Sequence, residues 1–156
     1  MSNQIQVRAA TPEDTEGLLR LWIGLVDYHK RLETVRPVRW SGPVEETLRS
    51  LIAQTWTAAD RCVMVVAEGA GVIVGFVRVS LAEDGPCLGR IDTLFVADAF
   101  RGQHVGARLL GSAYAWCRER GAREVCVAFI APNKAAREFY EHSGFQPLLS
   151  TYMRRL

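Results

Sequence analysis

The second half of the chain changes hydrophobic period four times, and this restricts the fold more than any other feature. Residues 90–96 carry the β-branched and apolar side chains of a strand. Across residues 103–120 the apolar positions Val105, Leu109, Ala113 and Trp116 recur at helical spacing, with Gly121 placed to stop the helix. Residues 124–130 read as a strand again, and residues 133–143 as a short helix ended by Gly144. Two strands joined through a helix lie parallel if they share a sheet, because the chain must cross over to re-enter it.

The first half predicts different elements. Ile5, Val7 and Ala9 alternate with polar residues as a short strand does. Thr11-Pro12-Glu13-Asp14 is a helix start: Thr11 can cap, Pro12 suits the first helical position, and the acids face the positive dipole end. Leu18, Trp22, Leu25, His29 and Leu32 then form one apolar stripe, and Val44, Leu48, Leu51, Ile52 and Thr55 a second after Ser41-Gly42-Pro43. Residues 62–68 and 72–81 flank Gly69-Ala70-Gly71 as a hairpin, hence antiparallel. Residues 148–154 read as a closing strand. The order is β-α-α-β-β-β-α-β-α-β, an α/β (α+β) fold with a mixed sheet flanked by helices.

At 156 residues, the chain has the length of one domain, with no repeat or linker to divide it. Hydrophobic residues at 49% and charged residues at 23% suffice for a buried core. The net charge of +2 excludes the strongly basic balance of an electrostatic nucleic-acid binder. No apolar run approaches the ~20 residues of a membrane helix, and the N-terminus lacks an export signal, so a cytoplasmic location is expected. Cys62, Cys87, Cys117 and Cys126 are widely spaced, as are His29, His104 and His142, so no metal-ligand pattern emerges and reduced thiols are expected.

Ile91-Asp92-Thr93-Leu94-Phe95-Val96 runs through a turn into Arg101-Gly102-Gln103-His104-Val105-Gly106-Ala107. A strand passing through a glycine-containing turn into a helix leaves backbone N–H groups unpaired at the helix start, where an anion such as pyrophosphate fits. Neither a P-loop nor a dinucleotide glycine fingerprint is present. Downstream stand Asn133, Ala136, Phe139, Tyr140, Gly144 and Phe145. Together with Arg101 and Gly106 these match the pattern of the GNAT superfamily of acetyl-CoA-dependent N-acyltransferases, in order and over nearly the whole chain. The chain resembles that family, with one departure: His104 replaces the first glycine of the pyrophosphate loop. Its imidazole either points to solvent or donates to the cofactor phosphate.

The resemblance implies direct transfer of acetyl from acetyl-CoA to an amine. The pantetheine arm would lie between the two parallel strands, with the Val96 N–H on the thioester carbonyl and Phe95 beside it. Arg101, Gly102, Gln103, His104, Val105, Gly106 and Ala107 would form the pyrophosphate loop. Tyr140 matches the family's general acid for the leaving thiolate, against a purely packing role with Phe139. Asp92 is either the base or a strand carboxylate paired with Arg90 or another cation, in which case a water takes the proton. Asn133 either contacts the pantetheine arm or caps its helix.

The resemblance further implies that the acceptor region falls on the first two helices and their connection, roughly residues 27–56. Between Asp27 and Glu46, four acids (Asp27, Glu33, Glu45, Glu46) face four bases (Lys30, Arg31, Arg36, Arg39), which selects no substrate. Tyr28 and Trp40 form an aromatic wall for an amine or pack beneath the helices. The expected partner is a small-molecule amine such as a polyamine, an aminoglycoside or an amino-acid-like compound, with no metal, nucleic acid or membrane. The residues from Leu148 to Met153 either present a strand edge for a homodimer, as the resemblance allows, or have that edge blunted by Arg154 and Arg155. An acyl-CoA-binding module without catalysis is the alternative.

Overall fold

The hairpin at residues 69–71 lies at the centre of the sheet. Strand β2 (Cys62–Gly69) turns through Ala70 and Gly71 into β3 (Val72–Leu81). Ala70 (φ 49°) and Gly71 (φ 75°) both take the left-handed conformation that lets a two-residue turn follow the strand twist. The computed structural model describes residues 4–32, 42–84, 88–154 and 156. In it, β1 (Gln6–Ala9) pairs antiparallel with β2, and β4 (Gly89–Val96) antiparallel with β3. The last strand, β5 (Val125–Val127), pairs parallel with β4, so the sheet order is β1-β2-β3-β4-β5.

Helices α1 (Thr15–Leu32) and α2 (Val44–Thr57) build one apolar layer; α3 (Val105–Glu119) builds the other, joined by Tyr140 of α4 (Lys134–His142). Side chains on β2 alternate between the layers: Met64 and Val66 join Leu18, Trp22, Leu48 and Ile52, while Val65 and Ala67 join Leu109 and Ala113. That alternation is the two-residue period of a strand buried on both faces. At the sheet edge, Arg8 donates to both oxygens of Asp14 at 2.8 Å and to Glu68 at 2.6 Å, tying β1 to β2 and to the 3₁₀ turn (Pro12–Asp14) that leads into α1. The Arg8 guanidinium holds the Asp14 carboxyl below its usual range, and that carboxylate also accepts the Thr11 N–H at 2.8 Å where the helix begins.

Two β-bulges break the pairing. Ala67 opposes Gly75 and Glu68 opposes Ile73, so Val74 is an extra residue on β3. Likewise Arg78 opposes Thr93 and Val79 opposes Ile91, which makes Asp92 the extra residue on β4. A bulge bends its strand and raises the local twist. β5 pairs only with Gly89, Arg90 and Ile91, and pairing ends one residue before the bulged Asp92. The strand expected over 124–130 is therefore three residues long, because β4 turns away from the residues that would extend it.

Two further expectations are corrected. Residues 148–154 form no strand; Leu148, Leu149 and Tyr152 are 66%, 85% and 93% exposed, and Leu148-Leu149 breaks the alternation that would dock one face. Cys62 and Cys117 are free and buried, but Cys126 is disulfide-bonded rather than reduced. No described helix is long and apolar enough to cross a membrane.

Candidate active site

Where β4 and β5 part, a cavity of about 450 Å³ opens. Its walls are Asp92, Thr93 and Leu94 on one strand and Val127, Ala128 and Phe129 on the other. Leu25, His29 and Lys30 of α1 close one side, and Asn133 and Tyr140 the opposite side. The backbone of β4 is half-used here. Phe95 pairs with Phe76, and the Ala97 N–H donates to the Val74 carbonyl at 2.9 Å. Successive amides of a strand point to alternate sides, so the Val96 N–H between them turns toward the opening.

From Val96 the chain passes through a 3₁₀ turn (Asp98–Phe100) into α3. Gly102 (φ 74°) and His104 (φ 59°) are both left-handed. The loop thus demands positive φ where the family pattern has glycine and this chain has histidine, a residue enriched in that region. His104 is exposed. The Arg108 N–H donates to the His104 carbonyl at 3.1 Å, which leaves the Val105, Gly106 and Ala107 amides ahead of the helical ladder at the positive end of the dipole. Gly106 also serves packing: a Cβ there would meet the Phe139 ring at 3.0 Å, so the glycine lets α4 close on α3. The Gln103 amide donates back to the Ala99 carbonyl at 3.1 Å, bracing the turn.

Arg101 folds back over the end of β4. Its Nε donates to the Val96 carbonyl at 3.0 Å and its Nη2 pairs with Asp98 at 2.9 Å. The guanidinium carbon lies 5.2 Å from the Tyr28 ring centre and 5.4 Å from that of Phe95. Tyr28 therefore sits on the loop rather than among the residues that line the cavity. Trp40 lies outside the described residues.

Tyr140 is 6% exposed and reaches the cavity from a nest of rings: Phe129 stacks at 5.6 Å, while Phe139 and Phe145 meet it edge-on at 5.2 and 5.3 Å. Among the described residues its hydroxyl makes no hydrogen bond. Burial, reinforced by Tyr114, pushes the phenol well above its ordinary value near 10 and keeps its proton in place. Asn133 caps α4, its Oδ1 accepting the Ala136 N–H at 3.0 Å, while the residue also borders the cavity.

The bulged Asp92 is 12% exposed and fully engaged. One carboxylate oxygen accepts from Arg78 at 2.6 Å; the other accepts from the Ser80 hydroxyl at 3.0 Å and from Arg90 at 2.7 Å. Arg78 is 14% exposed, and its Nε is buried without a hydrogen-bond partner among the described residues. Arg78 and Ser80 escaped sequence reasoning, although a lone arginine inside Val72–Leu81, a run otherwise apolar but for Ser80, is the signal that marks them.

The sequence profile of the acetyltransferase (GNAT) family matches residues 27–145. The aminoglycoside N(6′)-acetyltransferase type 1 of Stenotrophomonas maltophilia is 26% identical over 149 residues, 90% of this chain and 85% of that protein. Among solved structures, the aminoglycoside acetyltransferase AAC(6′)-Iy, in complex with the bisubstrate analogue CoA-S-monomethyl-acetylneamine, superposes with a TM-score of 0.76 at 20% identity, covering 98% of this chain and 99% of that one. Glucosamine-6-phosphate N-acetyltransferase of Arabidopsis thaliana gives 0.69 at 20% identity, over 97% and 98%. With its profile match spanning most of the sequence and its sheet opening at the parallel pair, this chain belongs to the acetyltransferase (GNAT) family and is an acetyl-CoA-dependent N-acetyltransferase.

Proposed function

We propose that the protein transfers the acetyl group of acetyl-CoA directly to the primary amine of a small molecule in the cavity between β4, β5 and α1. The observation that carries this reading is Tyr140, a buried phenol facing the cavity with its hydroxyl unengaged by described residues. The Val105, Gly106 and Ala107 amides receive the pyrophosphate, and the pantetheine arm enters the strand opening past Asn133. The Val96 N–H binds the thioester oxygen, where negative charge develops as the amine attacks. The new C–N bond forms, the C–S bond breaks, and Tyr140 gives its proton to sulfur, whose thiol pKa is roughly 8.5.

The proton lost by the amine passes to water. Three donors already occupy the Asp92 carboxylate, so protonating it would displace one of them. Asp92 acts instead as the anchor of the bulge. The acceptor class with most support is the aminoglycosides, through the curated relative. Release of CoA from acetyl-CoA, followed with tobramycin, spermidine and glucosamine as acceptors, tests the reading. Amine-dependent release supports it, fastest with tobramycin; release independent of every amine overturns it. The exposed apolar residues Leu148, Leu149 and Tyr152 support a homodimer, which sedimentation would report.

A further inference from the structure

Helix α1 presents two neighbouring surfaces to β4. Leu25 and His29 line the cavity, whereas Tyr28 turns to the loop and covers the Arg101 guanidinium at 5.2 Å, with Phe95 at 5.4 Å from the same carbon. Building on the proposed thioester contact, we infer that Tyr28 is a positioning residue, acting through Arg101 on the strand end that presents the Val96 amide to the thioester.

The local geometry shows how. The peptide between Val96 and Ala97 is held at both ends: its carbonyl accepts from Arg101 Nε at 3.0 Å, and its N–H donates to Val74 at 2.9 Å. That peptide adjoins the one bearing the Val96 N–H, so fixing the first restricts the direction of the second. Arg101 needs help to stay there. Its ion pair with Asp98 joins side chains that are 41% and 78% exposed, and such pairs contribute little. The two rings add a second restraint, because the negative face of each attracts the cation and together they limit where it can swing. Arg31 also lies over the Tyr28 ring, at 5.8 Å, but among the described residues it makes no hydrogen bond to the loop backbone. An aliphatic residue at position 28 would still pack against the helix layer but would release Arg101 toward Asp98 and solvent.

The test is the infrared carbonyl band of [1-¹³C]acetyl-CoA bound to saturation by the wild type, Tyr28→Phe and Tyr28→Leu. In the wild type the band lies at lower wavenumber than in solution, because the amide polarises the carbonyl. Tyr28→Phe keeps this shift, since its ring still covers the cation. Tyr28→Leu loses at least half of it while binding acetyl-CoA within about threefold of the wild type. Acetyl transfer to hydroxylamine at saturating acetyl-CoA falls about tenfold in Tyr28→Leu only. Arg101→Gln reproduces the lost shift and serves where Tyr28→Leu does not fold. An unchanged shift in Tyr28→Leu and Arg101→Gln overturns the inference alone, as does a loss in Tyr28→Phe equal to that in Tyr28→Leu. A wild type that binds no acetyl-CoA removes the proposed site and the inference together.

Discussion

The two sides of β4 are built from different material. Toward α3 the candidate cosubstrate site is mostly backbone: the amides of Val105, Gly106 and Ala107, the Val96 N–H, and two left-handed residues that shape the turn. Toward α1 the cavity is made of side chains from distant segments: Leu25, His29, Lys30 and the Asp92 cluster. Backbone donors depend on conformation and are specified by a few residues at fixed spacing. A wall of side chains is specified only once the elements meet, so its chemistry is spread through the sequence.

The largest effect is expected where a single side chain serves the backbone-built half. Tyr140→Phe should lower kcat roughly 10- to 1,000-fold with acetyl-CoA affinity retained, as steady-state kinetics and calorimetry would show. Unchanged turnover would mean that this half contributes geometry alone. The same phenol gives a pH signature. Its folded-state pKa is raised by burial, so its contribution to stability is complete below the ordinary value near 10 and is lost as pH rises beyond it toward the folded value. Thermal melts above pH 10 should therefore fall more steeply in the wild type than in Tyr140→Phe.

Next comes Asp92→Asn, which leaves Arg78 and Arg90 around a neutral amide. Breaking one side of a mostly buried ion cluster costs about 2–4 kcal/mol, a drop of roughly 5–15 °C in Tm for a chain of this size. A loss of kcat with a new pH dependence and an unchanged Tm would instead make Asp92 the base. Gly106→Val is smaller: its Cβ meets the Phe139 ring at 3.0 Å, and overpacking of this kind costs about 1–3 kcal/mol by denaturant melts. The smallest effect belongs to His104→Gly. Removing the Cβ from a residue at φ 59° should raise stability by about 0.5–1 kcal/mol while leaving acetyl-CoA affinity within threefold. A tenfold loss of affinity would show the imidazole holding phosphate, and would blur the contrast between a backbone site and a side-chain site.

Legibility follows the same division. The helices and the hairpin were readable because period, caps and turn residues act within a few residues, whereas a role for the loop at residues 101–107 came only with the family resemblance. The stripe of Leu18, Trp22 and Leu25 is buried as its spacing requires, and Asn133 caps α4 as its position suggests. What escaped depends on pairing. The truncation of β5 at Val127 follows from a bulge on its neighbour, which no local pattern announces. Leu148 and its neighbours have strand composition but stay exposed and join no sheet. Tyr28 was read as either part of an aromatic wall or packing beneath the helices; that its ring lies against Arg101 depends on where the loop after β4 folds, which helix spacing does not show. The partners of Asp92 come from β3 and from its own strand; only Arg90 was close enough in sequence to be named beforehand.

The bulge at Asp92 makes the opening a matter of counting. One residue more on β4 than on β3 separates a sheet that parts from one that closes. Deleting a single residue between Asp92 and Leu94 would restore an even ladder with β3 and free β5 to pair past Ile91. The pairs on either side would keep their partners and their faces, because the extra residue is already absorbed outside the ladder: Ile91 stays opposite Val79, and Leu94 opposite Val77. Length at this point is therefore a constraint of its own: a loop can gain or lose residues with little consequence, but this strand cannot shed one without closing the cavity.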